Sequence, residues 1–164
     1  MYIYTKINTS MISLQGEHTC RVDVKGRFML PVALKNQFNA LLNEGFVVKR
    51  SIFSSCLELY PKSNWDELIR KITSKLNRFV KRDNDFIRAY NAGLKEIEID
   101  STGRILIPRD LAVNAGITGD IVLAAKMECI EIWDKAKYDE IVSETQTNIS
   151  ALAEEILGNI NLNE

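Results

Sequence analysis

Two short segments place a carboxylate, a glycine and a guanidinium in the same order: Asp23, Gly26 and Arg27 in D-V-K-G-R, and Asp100, Gly103 and Arg104 in D-S-T-G-R. With a spacing of four across a turn, Asp and Arg can pair with each other and merely lock the turn. An arginine at such a rigid tip can also fork onto phosphates or onto the edges of guanine. Covalent chemistry is not indicated. The chain has one histidine, His18, no glycine-rich loop followed by lysine, and no nucleophile and base at a recognisable spacing, so an enzyme is not expected. Cys20, Cys56 and Cys129 lie far apart without a C-x-x-C pair, which argues against structural zinc, and no other cofactor is expected. Cys56 and Cys129 open alternating apolar runs and read as small buried hydrophobes; disulfides are not expected in a reducing compartment.

The elements that must position these residues come twice. D-V-K-G-R-F-M-L-P-V-A-L (23–34) is echoed by D-S-T-G-R-I-L-I-P-R-D-L (100–111), C-L-E-L-Y (56–60) by C-I-E-I-W (129–133), and Asp66-Glu67-Leu68 by Asp139-Glu140-Ile141. So many matches in one order indicate duplication, with a small insertion in the first copy between its helix and its last strand. L-K-E-I-E-I (94–99) alternates as a half-buried strand. Asp and Gly then take the first and fourth places of a hairpin turn, and the arginine opens a returning strand over 104–107. Gly26 and Arg27 repeat the pattern. Pro31 and Pro108 suit the first helical position, and short helices run on to about Leu42 and Asn114. Strands over 46–50 with 56–60, and over 121–126 with 129–133, close the two units.

After the first unit, Pro61 opens a helix with Trp65, Leu68, Ile69, Ile72, Leu76 and Phe79 on one face. Residues 83–93 read as a short helix with a glycine stop. After the second unit, Asp134 caps a C-terminal helix whose stripe is Tyr138, Ile141, Val142, Thr145, Ile149, Leu152 and Ile156.

The 164-residue chain has a net charge of −1, so any basic face must come from uneven distribution. Bases dominate between Lys62 and Lys95, and acids dominate from Glu128 onward. No stretch approaches the roughly 18 uncharged apolar residues that a membrane span needs, and no secretory leader is visible, so a cytoplasmic protein without membrane partners is expected.

On these residues the sequence resembles the MraZ family, whose members carry two AbrB-like (SpoVT-AbrB) swapped-hairpin modules, each marked by an Asp-x-x-x-Arg motif. The resemblance spans Met11 to about Val142 and includes the lead-in Q-G-E-H and the runs L-E-L-Y-P and I-E-I-W-D-K. It implies an α+β fold: two pseudo-symmetric modules whose hairpins interlock in a small β-barrel-like core with flanking helices. It further implies a transcriptional regulator that binds double-stranded DNA at short direct repeats in the promoter of the division and cell-wall gene cluster, usually as a repressor. Assembly into a homo-oligomeric ring and association with the nucleoid belong to the same expectation, and no small-molecule ligand is expected. Arg27 and Arg104 are then the DNA contacts, with Asp23, Gly26, Asp100 and Gly103 structuring the turns. Lys25 and Arg21 add phosphate attraction in the first copy. In the second copy Ser101 and Thr102 stand where the family's turn is more basic, and Arg109 is expected to compensate. The resulting division is an N-terminal extension over 1–10, a first module over 11–62, a helical connector over 63–93, a second module over 94–134 and a C-terminal amphipathic helix over 135–164. Residues 1–10 precede the usual family start, near Met11, which leaves initiation at Met1 or Met11 open. The rival reading is an AbrB-fold interaction or antitoxin-like module without specific DNA binding.

Overall fold

The computed structural model describes residues 11–160, so the N-terminal extension and the choice between Met1 and Met11 lie outside the described residues. The first repeat gives β1 (Glu17–Arg21), β2 (Arg27–Met29), α1 (Val32–Phe38), a 3-10 segment (Asn39–Glu44), β3 (Phe46–Arg50), β4 (Leu57–Pro61) and α2 (Lys62–Thr73). Helix α3 (Lys81–Tyr90) leads to the second: β5 (Lys95–Ile97), β6 (Arg104–Leu106), α4 (Arg109–Ala115), β7 (Asp120–Lys126), β8 (Cys129–Asp134) and α5 (Lys135–Gln146), followed by α6 (Ile149–Leu157). The insertion in the first copy is shared between the segment leading from α1 into β3 and the β3–β4 connection, which is longer than the two residues, 127–128, that join β7 to β8.

Several helix boundaries differ from the sequence expectation, each for a local reason. Pro31 and Pro108 stand just before the first helical residue, with extended ψ angles of 142° and 136°, rather than inside the helix. Helix α1 does not continue to Leu42 as one α-helix, because Asn39 takes φ +48° and the chain goes on as 3-10. Helix α2 stops at Thr73, where the Lys75 N–H turns back to the Ile72 carbonyl and the Ser74 hydroxyl donates to the Lys71 carbonyl at 2.7 Å, so Leu76 and Phe79 fall outside it and Phe79 is exposed. Asp134 caps α5 as expected, accepting from the Lys137 N–H at 3.2 Å. The C-terminal helix, read as continuous, breaks between α5 and α6 at residues 147–148.

The strands interlock between repeats. The larger sheet has the order β1-β7-β8-β4-β3-β5, antiparallel throughout, and β2 pairs with β6 as a separate ribbon. Thus β1 of the first repeat pairs with β7 of the second, and β5 of the second pairs with β3 of the first. This corrects the simple hairpin: β5 and β6 share no ladder, and only Ile99 bridges Ile105 beside the turn. The sheet order ends at β1 and β5 without closing, so the core lies between an open six-stranded sheet and the ribbon.

A pseudo-two-fold axis passes between β4 and β8, where Glu58 lies directly opposite Glu131. Phe28 and Ile105 point inward from the ribbon and meet Leu34, Leu111, Leu57, Leu59, Leu123 and Ile132, all essentially inaccessible. On the sheet's other face Cys129 is buried with Tyr60 and Trp65, and Cys56 with Trp133, so each repeat's cysteine lies in the aromatic cluster of the other. All three cysteines are free thiols; Cys56 and Cys129 are buried, as their apolar runs suggested, and Cys20 is half-buried. Burial and neighbouring carboxylates push the Cys129 thiol up to about 12, which keeps it protonated and inert. Among the described residues, no helix is long and apolar enough to cross a membrane.

Candidate nucleic-acid interface

The two Asp turns are built alike. Asp23 Oδ1 accepts from the backbone N–H groups of Lys25 and Arg27, both at 2.9 Å, and its Oδ2 accepts from Arg27 Nε at 2.9 Å. Asp100 Oδ1 accepts from the N–H groups of Thr102 and Arg104 at 2.9 Å and from the Thr102 hydroxyl at 2.8 Å, while Oδ2 takes Arg104 Nε at 3.0 Å. Gly26 and Gly103 have φ of +87° and +85°, which a side chain would strain. Each guanidinium therefore spends one edge on its own turn. Among the described residues, its terminal Nη groups have no intrachain acceptor, so locking the turn and presenting an outward fork are compatible in one side chain.

These bonds hold the Asp23 carboxyl below the ordinary carboxylate range and the Asp100 carboxyl well below it. The backbone N–H of the arginine contributes most in each; at Asp23 the guanidinium and then the Lys25 N–H add to it, and at Asp100 the Thr102 hydroxyl and N–H and then the guanidinium. A folded pKa below the unfolded value means that the unfolded chain takes up protons first as pH falls. The turns therefore add stability that is complete above about pH 5 and is lost as acid titrates down through the folded values. Asp100→Asn is expected to lower the thermal midpoint at neutral pH and to flatten its fall between about pH 5 and 3, followed by circular dichroism. A fall as steep as the parent's would place the acid sensitivity elsewhere.

The ribbon brings the two arginines to one face. Arg27 lies opposite Leu106 and Met29 opposite Arg104, with Phe28 and Ile105 between them turned into the core. The arginines thus occupy diagonal positions, about 7–8 Å apart in ordinary sheet geometry. Met29 and Leu106, about half exposed, complete the outward face. Each turn is tied to the other repeat: the Gly26 carbonyl accepts from Ile107 N–H at 2.9 Å, and the Gly103 carbonyl from Leu30 N–H at 3.0 Å. One turn therefore cannot shift without moving the other's strand.

The remaining basic candidates are spread around this face. Lys25 stands exposed at the first turn beside the fully exposed Val24. Arg109, at the start of α4, lines a surface depression together with Asp23, Lys25 and Gly26, so it neighbours the first turn. The basic side chain lying over the second turn is instead Lys35 of α1, whose Nζ occupies the space that a Cβ on Gly103 would fill. Lys35 went unnoticed in the sequence. The signal that could have found it is a basic residue one turn into the helix after a returning strand, combined with the strand exchange that carries α1 to the other repeat's turn. Arg21 extends from the edge strand β1 and pairs at 3.1 Å with Asp120 of β7, both exposed, so its charge is partly offset. No group of three or more His, Cys, Asp or Glu that could hold a metal ion occurs among the described residues.

Comparison with known proteins agrees with this architecture. The family model described as "MraZ protein, putative antitoxin-like" matches twice, over residues 13–89 and 91–160. A protein of Flavobacterium psychrophilum named "Transcriptional regulator MraZ" is 53% identical over 154 residues, covering 94% of this chain and 98% of the relative. A protein of the same name from Christiangramia forsetii is 48% identical over 149 residues, 91% and 96% of the two chains. One from Pediococcus pentosaceus is 33% identical over 142 residues, 87% and 95%. With both repeats matched and relatives aligned over nearly their whole length, the chain belongs to the MraZ family.

Proposed function

We propose that this chain is a DNA-binding transcriptional regulator that engages promoter direct repeats through the outward face of the β2–β6 ribbon, as a ring of several subunits, and represses its own division and cell-wall gene cluster. The observation that carries the reading is the convergence of Arg27 and Arg104 on one face, each oriented by its own aspartate and each with a guanidinium edge that has no acceptor among the described residues. A two-stranded ribbon fits the major groove, about 12 Å wide, and two forks at diagonal positions of such a ribbon fit within it together. Lys25, Arg109, Lys35 and Arg21 supply phosphate attraction around that face. The modest net charge is consistent with repetition: several weak modules on one assembly bind adjacent DNA repeats with multiplied affinity. The names of the relatives point the same way.

The exposed Met29 and Leu106 between the arginines favour one competing reading, an antitoxin-like face for a protein partner. Salt dependence separates the two. Fluorescence anisotropy with the protein's own upstream DNA should show binding that exceeds binding to scrambled DNA and weakens steeply as salt rises, because phosphate contacts release counterions. Assembled protein that ignores its upstream DNA at low salt would leave the protein-partner reading standing.

A further inference from the structure

We propose that the apices of the two Asp turns fix the direction in which the ribbon lies on a DNA repeat. Val24 covers the methyl group of a thymine at one end, and Thr102 accepts a hydrogen bond from the exocyclic amine of an adenine or a cytosine at the other. This rests on the DNA-contact part of the function proposed above and names the bases that the two ends distinguish.

The outward face of the β2–β6 ribbon is chemically almost two-fold symmetric. Duplication makes Arg27 equivalent to Arg104 and Met29 to Leu106. The two arginine side chains are 27% and 32% exposed, and Met29 and Leu106 are 51% and 50% exposed. Four such side chains meet a duplex alike from either end, whereas a direct repeat has one direction, so the symmetry must be broken beyond them. Because β2 and β6 run antiparallel, the turns stand at opposite ends of the ribbon: the Gly26 carbonyl bonds Ile107 and the Gly103 carbonyl bonds Leu30. Four residues of strand separate those ends, roughly 14 Å at about 3.4 Å each, which is about four base-pair steps.

The two ends differ where the turn makes no demand. Val24 and Ser101 hold equivalent places, as do Lys25 and Thr102, yet both turns close with the same two backbone bonds to the aspartate. Val24 is fully exposed, so its methyl groups add nothing to the core. In the major groove thymine presents an apolar group, its C5 methyl, which an apolar side chain on a rigid tip selects without a polar partner. Thr102 is arranged differently. Its hydroxyl donates to Asp100 Oδ1 at 2.8 Å, and that carboxyl, held well below the ordinary range by its donors, stays ionised and can only accept. The single hydroxyl proton is thereby committed, which leaves Oγ1 as an acceptor. Donors in the major groove are the N6 amine of adenine and the N4 amine of cytosine, while guanine and thymine present acceptors there. Lys25, in the equivalent place of the first turn, carries only donors and cannot make that choice.

The test uses the full chain, duplexes that the parent selects from a randomised library, and fluorescence anisotropy at fixed salt, with folding followed by circular dichroism. Replacing the selected thymine by deoxyuridine, which lacks the methyl, should weaken binding by the parent about fourfold per module. Val24→Ser should bind both duplexes equally. Exchanging the apices, Val24→Ser with Ser101→Val, should carry the uridine penalty to the opposite end of the repeat. Thr102→Val should lose the preference for adenine or cytosine at its end, and Thr102→Ser, which keeps the oxygen, should retain it. A parent indifferent to uridine, a penalty that persists in Val24→Ser, or an unaltered preference in Thr102→Val would overturn the assignment, while sequence-selective binding by the parent would keep the ribbon reading. A parent that selects no sequence would overturn both.

Discussion

Replacing both Arg27 and Arg104 with alanine is expected to abolish specific DNA binding while leaving fold and assembly in place. Each guanidinium gives up one exposed ion pair with its aspartate, worth about 0–1 kcal/mol. The turn itself survives, because Asp23 and Asp100 keep their backbone donors. At the DNA the loss is larger. A well-seated arginine fork is worth about 1–3 kcal/mol of discrimination, so one replacement weakens a single module by roughly 10- to 100-fold, and simultaneous engagement of several modules compounds it. Arg27→Ala should cost more than Arg104→Ala, since the first turn carries Lys25 and neighbours Arg109, whereas the second has Ser101 and Thr102 with Lys35 alone over it. Anisotropy titrations of both single variants and the double variant, with light scattering as control, decide the matter. Equal single losses would refute the ranking, and an unaffected double variant would remove the ribbon face from consideration as the DNA contact.

The largest effect on stability is expected at the pseudo-two-fold axis. Lys49 is fully buried; its Nζ donates to the Arg50 carbonyl at 2.7 Å, sits 3.5 Å from Glu58 Oε1 and lies 4.1 Å from the centroid of the Tyr90 ring. Burial lowers the Lys49 pKa and the Glu58 carboxylate partly restores it. Removing only Glu58 strands that ammonium. Glu58→Ala should therefore cost about 3–5 kcal/mol in urea unfolding at neutral pH, the usual penalty for breaking a buried pair. Lys49→Met with Glu58→Leu should come close to the parent, since similar volumes replace both charges. The single variant also carries a pH signature. Its Lys49 pKa falls further below the unfolded value, so the unfolded chain holds the proton that the folded chain gives up, and the deficit should shrink as pH rises from about 7 to about 9.5. A deficit independent of pH would mean that lost packing, not a stranded charge, is the cause.

Much of the local structure is legible in the sequence because it depends on groups a few residues apart. Asp accepting from its own turn, glycine at positive φ and the arginine four residues on are decided within each D-x-x-G-R segment. Duplication, the alternating strands, the Asp134 cap and the burial of Cys56 and Cys129 follow from equally short patterns. The end of α2 and the break between α5 and α6 do not, because an apolar period runs on past the point where a serine hydroxyl takes the last carbonyl or the chain turns.

What only tertiary structure decides is partnership. An alternating strand says which of its faces is apolar, not which other strand it joins. The pairings of β1 with β7 and β5 with β3 arise because exchange between repeats buries Phe28 and Ile105 under a common sheet, a gain shared by the whole chain and carried by no single segment. That exchange sets Arg27 and Arg104 on one ribbon, places Lys35 over the second turn and Arg109 beside the first, and opposes Glu58 to Glu131. The sequence by itself therefore determines the parts of the site, through short-range hydrogen bonding and backbone conformation. Their convergence on one surface is settled by long-range burial, which acts only when both halves are folded together.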